Sequence, residues 1–351
     1  MIVSLVLLLL TAQAPPQSAE AWKAAGFRAL RAGAAEEASA DFGQALRINA
    51  ADAVTLLGAG AAANMRGRAD DARQHLAGAL QLQPSLTAAS LLLGDILYRG
   101  ADLRGAIAVY EQALLYAPRD RQVTARLEAW RHEAEVQEGF STRVATHFTI
   151  LFEGPPDQPM ATRVADILES AYWKVGAVLG AYPADVITVV LYSREQFRDV
   201  TQSPSWAGGV YDGRIRIPIA GKTDERELRR VLTHEFTHAV VYSLAARRVP
   251  QWLNEGLAVL MERGGALEPS GRGPESVLPL TRLEGSFERF SPEDARTAYA
   301  TSAAATEALI DRAGPTVIYN LLTNLGNGLP LDEAFERAAL MPYPEFVQSW
   351  R

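Results

Sequence analysis

Small apolar residues recur along the first third of the chain at a spacing of 34 residues. Gly26, Gly60 and Gly94 form one column, and Ala38, Ala72 and Ala106 a second. Phe42, Leu76 and Tyr110 form a third, Ala45, Ala79 and Ala113 a fourth, and Ala50, Pro84 and Pro118 close the units. Trp22 marks the first helix of the first unit. Each unit reads as two helices. Small residues sit where helices cross closely, the bulky residue fills the groove between them, and the proline ends the second helix by removing a hydrogen-bond donor. Such self-similarity predicts a solenoid of stacked helix pairs. Residues Arg119 to Phe140 read as one further helix that caps the array.

At Val144 the pattern changes. Residues 144–152 are rich in β-branched and aromatic side chains and predict a strand, which Gly154-Pro155-Pro156 ends. Helical spacing returns over 158–180, and Val186 to Tyr192 reads as a buried strand. Gly208 to Ile217 predicts a hairpin around Asp212-Gly213, a favoured two-residue turn. A long helix runs from about Thr223 to Ala246, and a second starts at Pro250. The remainder is mostly helical, apart from a Gly/Pro-rich loop near 264–280. This order predicts an α+β protein: an N-terminal α-solenoid, then a domain with a small mixed sheet and a helical C-terminal part.

Composition narrows the picture. A chain of 351 residues, 48% apolar and 21% charged, is an ordinary globular sequence long enough for two domains. A net charge of −7 argues against a nucleic-acid partner. The absence of cysteine removes disulfides, thiolate ligands and a cysteine nucleophile. Any transition metal must therefore be held by His and carboxylate, which suits zinc. The ten largely apolar residues Met1 to Leu10 are too few to span a bilayer but fit the core of an export signal, with Ala12-Gln13-Ala14 as a small-x-small cleavage site. No Lys or Arg precedes them, and Pro15 follows the cut. The expectation is a signal peptide over 1–14, export to the periplasm or beyond, and no stable membrane span.

The candidate chemistry lies in His234-Glu235-Phe236-Thr237-His238 on the long helix. Residues four apart share a helical face, so both imidazoles can reach one cation. Glu235, rotated by about 100°, stands beside that cation and can take a proton from the attacking water. Sixteen residues separate His238 from Glu255, enough to end one helix, turn, and bring Glu255 back on the next. Two His and one Glu would form a site with an open position for water, as a catalytic zinc requires. Two solvated histidines on a surface helix are the alternative for the pentapeptide taken alone.

The repeat region resembles the tetratricopeptide repeat over roughly 17–120. The site resembles the gluzincin metallopeptidases, with His-Glu-x-x-His on one helix and Asn-Glu-x-x-Ala, here Asn254 to Ala258, on the next. Within that superfamily the chain looks most like the peptidase MA-like family, over about 141–351. The resemblance implies one zinc ion held by His234, His238 and Glu255, with Glu235 as general base. It also implies an oxyanion donor at Tyr299, in Tyr299-Ala-Thr-Ser302, although a half-buried core tyrosine is an equal reading. Asn254, Glu262 and Ser302 are the candidates to support the ligands; for Glu262, an exposed helix carboxylate is the alternative. In gluzincins an edge strand near the metal pairs with extended substrate, which points to Gly208 and Gly209 as substrate-binding, or else as plain turn glycines. The aminopeptidase branch carries a Gly-x-Met-Glu-Asn segment there. This chain has Trp206 to Asp212 without that glutamate, which favours an endopeptidase.

The expected organisation is thus a signal peptide at 1–14, repeats with a capping helix over 17–140, and a peptidase domain over 141–351. A peptide or protein substrate is expected, and the array offers a surface for a protein partner. The alternative is an interaction scaffold whose peptidase-like domain is catalytically silent.

Overall fold

The computed structural model describes residues 18–204, 207–219, 224–245, 249–264 and 277–350. The expected export signal, Trp206 and most of the 264–280 loop lie outside them. Six helices form three hairpins: α1 (Ala19–Ala32) with α2 (Ala35–Ile48), α3 (Ala53–Met65) with α4 (Ala69–Leu82), and α5 (Thr87–Arg99) with α6 (Leu103–Tyr116). The glycine column lies against the bulky column. A methyl group on Gly26 would come within 2.8 Å of the Phe42 ring, on Gly60 within 2.7 Å of Leu76, and on Gly94 within 2.3 Å of Tyr110. The absent Cβ is therefore what lets each hairpin close.

A further column emerges from the backbone. Gly33, Gly67 and Ala101, again one repeat apart, turn the chain in the left-handed region with φ of 79°, 68° and 65°. The turns of successive repeats face the rest of the chain. A Cβ on Gly33 would meet the Asn327 carbonyl at 2.3 Å, one on Gly67 would approach Ala184 at 3.9 Å, and the Arg99 carbonyl accepts from Thr188 Oγ1 at 2.9 Å.

The seventh helix, α7 (Arg121–Val136), leads to β1 (Ser141–Val144) and β2 (Phe148–Phe152). The strand expected over 144–152 is thus shorter, β2 alone, and it follows a turn at 145–147 from the antiparallel β1. The chain reverses where Ala145 N donates to the Phe148 carbonyl at 2.8 Å and the Glu169 carboxylate takes His147 N at 2.8 Å. Then come α8 (Gln158–Leu179), β3 (Ile187–Tyr192), α9 (Arg194–Thr201), β4 (Val210–Tyr211) and β5 (Ile215–Pro218). Three residues, Asp212 to Arg214, join the paired strands β4 and β5, one more than the expected two-residue turn. Helices α10 (Glu225–Ala245), α11 (Gln251–Glu262), α12 (Pro292–Ala313), α13 (Thr316–Gly326), α14 (Leu331–Ala339) and α15 (Tyr343–Ser349) complete the chain.

The sheet order is β1-β2-β3-β5-β4. β2, β3 and β5 are parallel, and β1 and β4 are antiparallel edges. Alternation along the strands separates two faces. Ile150, Val189, Ile215 and Ile217 join the main core with residues of α8 and α10. Val190 and Tyr192 face the other way, against Phe197, Val136 and Phe140. The helix expected only to cap the repeats therefore also covers the second face of the sheet. Among the described residues, no helix is long and apolar enough to cross a membrane.

Candidate metal centre and cleft

Helices α10 and α11 run antiparallel, so that His238 lies beside Asn254 and Glu255 while His234 lies beside Glu262. Pro250 opens α11 in extended backbone, and Gly256 lets α11 press on α12: a Cβ there would stand 2.1 Å from Thr306 Oγ1 and 2.4 Å from the Ser302 carbonyl. The packing of three helices thus sets where the Glu255 carboxylate points.

His234, His238 and Glu255 each offer a ligand atom within 4.8 Å of the others. Glu255 Oε2 lies 3.3 Å from His234 Nε2 and 3.5 Å from His238 Nε2. It is buried and has no hydrogen-bond partner among the described residues. The far nitrogen of each ring is held: His234 Nδ1 by Glu262 Oε2 at 3.0 Å, and His238 Nδ1 by Asn254 Oδ1 at 3.0 Å. Those contacts aim both Nε2 atoms at the same point. A buried carboxylate oxygen facing two imidazole nitrogens is a donor set that a divalent cation would satisfy, and two nitrogens with one oxygen match zinc.

The electrostatics agree. Burial alone would depress the His234 imidazole, but the Glu255, Glu262 and Glu235 carboxylates outweigh it and push its pKa up to about 10. Burial would likewise raise the Glu255 carboxyl, yet the two imidazoles hold it well below the usual carboxylate range. The site is an anionic pocket that favours positive charge.

Glu235 is 6% exposed and lines the same cleft, which has a volume of about 820 Å³. Gly208, Gly209, Val210 and Tyr211 line it from the sheet edge, and Tyr299 from α12. Gly209 is pressed against the candidate base: a Cβ would lie 2.9 Å from Glu235 Oε1 and 2.8 Å from Ile217 Cδ1. Gly208 is less constrained, with Val231 at 3.3 Å. The Tyr299 ring stands 6.0 Å from that of His234. Burial, reinforced by the nearby Glu255, Glu235 and Glu262 carboxylates, pushes its hydroxyl far above the ordinary tyrosine value, so it stays a proton donor.

Glu262 stands where a residue supporting a ligand would, not as an exposed helix carboxylate: its side chain is 12% exposed and sits between His234 and Arg230 Nη1, each at 3.0 Å. One expectation changes. Ser302 does not reach the cleft with Tyr299. It is fully buried where α12 meets Gly256, because α12 turns that edge into the helix contact. Two residues passed unnoticed in the sequence: Gln251, whose Nε2 donates to Glu255 Oε1 at 2.7 Å, and Arg230, which anchors Glu262. Both precede a candidate ligand by four positions, a spacing that puts them on the ligand's face. His132 and His147 are engaged elsewhere, by Asp199 and Glu169, each at 2.7 Å.

A family model described as the peptidase MA superfamily matches residues 168–350, and a tetratricopeptide repeat model matches 63–129. No curated protein matches the chain.

Proposed function

The chain belongs to the peptidase MA superfamily, and from that premise we propose that it is a zinc-dependent peptidase, in particular an endopeptidase, exported from the cytoplasm and carrying repeats that present a protein partner or substrate. The observation that carries the reading is the Glu255 Oε2 atom, buried 3.3 and 3.5 Å from two imidazole nitrogens whose other nitrogens are already held.

His234, His238 and Glu255 would hold one zinc ion. When bound, zinc lowers the pKa of its water from about 15.7 to about 7 and polarises the peptide carbonyl. Glu235, in the cleft one residue along from His234, takes the proton from the attacking water and passes it to the leaving amine. The Tyr299 hydroxyl, kept protonated, donates a hydrogen bond to the developing oxyanion. The β4 edge with Gly208 and Gly209 offers backbone groups to an extended substrate, as strand addition requires. No glutamate on residues 207–211 is placed to hold a substrate's free amine, which supports internal cleavage.

The test compares the wild type with Glu235→Gln, by zinc content and by hydrolysis of an unfolded protein. One zinc per chain in both, with cleavage in the wild type falling about 10²–10⁴-fold in the variant, is the expected result. Zinc in both and no cleavage by either would leave the repeats as the working part and the second domain silent.

A further inference from the structure

Arg214, the residue before β5, and Arg216 on β5 are buried on the face of the sheet turned away from the main core. Arg214 and Arg216 are 0% and 1% exposed. Most of their partners come from the repeat array and its capping helix. Glu133 on α7 accepts from Arg214 Nη1 at 3.1 Å and from Arg216 Nη1 at 2.8 Å. Tyr98 on α5 donates its hydroxyl to Glu133 Oε2 at 2.6 Å and is itself contacted by Arg216 Nη2. The Tyr98 carbonyl accepts from Arg214 Nε at 2.7 Å, and the Arg214 guanidinium lies 4.2 Å above the Tyr98 ring. Tyr192 on β3 donates to Glu133 Oε1 at 3.2 Å, and Arg216 also reaches Asp212 in the turn at 3.3 Å. Two cations are thereby matched by Glu133 and Asp212.

This cluster sits directly behind the cleft. β5 is paired with β4, Val210 opposite Arg216 and Tyr211 opposite Ile215. Gly209, the residue before β4, rests on Ile217 and Glu235. A second link runs alongside: Arg99 Nη1 donates to the hydroxyl of Tyr242, a cleft residue on α10. A two-residue edge strand has few hydrogen bonds of its own, and isolated hairpins of this size are marginal. Its position relative to Glu235 rests on α10, where the Tyr211 ring stands 5.9 Å from that of Tyr242, and on β5, which is gripped from behind by α5 and α7.

We propose that the repeat array is a built-in clamp on the substrate-binding edge, with Glu133 as the positioning residue that fixes the β4–β5 hairpin against the base. Its kinetic consequence rests on the peptidase reading above; its structural consequence does not. Without the Glu133 charge, two buried guanidiniums are left with the single carboxylate of Asp212, which reaches only Arg216, and the hairpin shifts to hydrate them.

The experiment uses the full chain and Glu133→Gln. Amide hydrogen exchange over 208–218 is expected to speed up by about tenfold or more, while α10 and α11 exchange as in the wild type. With an extended internally quenched peptide, KM is expected to rise about tenfold at nearly constant kcat, with zinc content unchanged. Unchanged exchange over 208–218, or a uniform rise over the whole chain, overturns the proposal, the second because it marks general loss of stability. Should Glu133→Gln fail to fold, Tyr98→Phe, which keeps the ring and removes the hydroxyl, carries the same comparison. An inactive wild type sinks the peptidase reading, and the exchange comparison then decides the clamp by itself.

Discussion

The Glu262 carboxylate stands 3.0 Å from Nδ1 of His234 and, through the same oxygen, 3.0 Å from Arg230 Nη1. A single anion so placed orients the ring and is itself held in place, two turns of helix away from the carboxylate that faces the Nε2 side. Partners of this kind set metal affinity. Glu262→Gln is therefore expected to weaken zinc binding by about 10–100-fold, measured by competition with a chromogenic chelator, with little change in thermal stability of the metal-free chain. Equal affinities in the two proteins would show that the contact does not support the site.

Tyr299 is expected to act on the oxyanion and not on the substrate's ground state. Tyr299→Phe keeps the ring that packs 6.0 Å from His234 and 5.7 Å from Phe287 while removing the donor. A fall of about 10²-fold in kcat with KM unchanged is the expected outcome in steady-state hydrolysis of a peptide. Full kcat with zinc bound would return Tyr299 to the status of a core residue.

Gly209 gives a sharper steric test. A methyl group there would stand 2.9 Å from both Cγ and Oε1 of Glu235 and 2.8 Å from Ile217. Gly209→Ala should abolish cleavage while the chain stays folded and binds zinc, because the base or the edge strand has to move. Gly208→Ala, with Val231 at 3.3 Å, should be milder. Circular dichroism, zinc content and activity, taken together on the two variants, check the ranking.

Acid should loosen the clamp. Burial alone would raise the Glu133 carboxyl, but the Arg216 and Arg214 guanidiniums, aided by the Tyr98 hydroxyl, outweigh it and hold the folded-state pKa below the ordinary 4.5. A group lowered on folding stabilises the fold fully above its unfolded pKa and loses that contribution as pH falls through the folded one. The wild type should thus lose local protection over 208–218 below about pH 4.5, and the gap in amide-exchange protection of that segment between it and Glu133→Gln should narrow as pH drops. A gap that stays constant from pH 7 to pH 3 would rule this electrostatic account out.

Much of the molecule was legible one-dimensionally because its determinants are local or periodic. The 34-residue columns place glycine against a bulky side chain in every hairpin, and helical spacing alone puts His234 and His238 on one face. Motif likeness then pointed to Glu255. Misreadings fell where a local rule met a distant partner. The strand expected over 144–152 begins only at Phe148, after a turn in which Glu169, on α8, takes the His147 amide. Ser302 shares a helix with Tyr299, but it faces Gly256 instead of the cleft because α11 lies there.

Residue order along the chain decides repeat period, helix faces and the pairing of the two candidate imidazole donors, His234 and His238, since all of these follow from bonded geometry a few residues long. How far apart those donors stand is another matter. The 3.3 Å and 3.5 Å approaches of Glu255, the burial of Glu262, and the meeting of Glu133 with Arg214 and Arg216 across some 80 residues arise when helices and sheet pack. Packing is set by the summed fit of many side chains, and no window along the chain contains that sum.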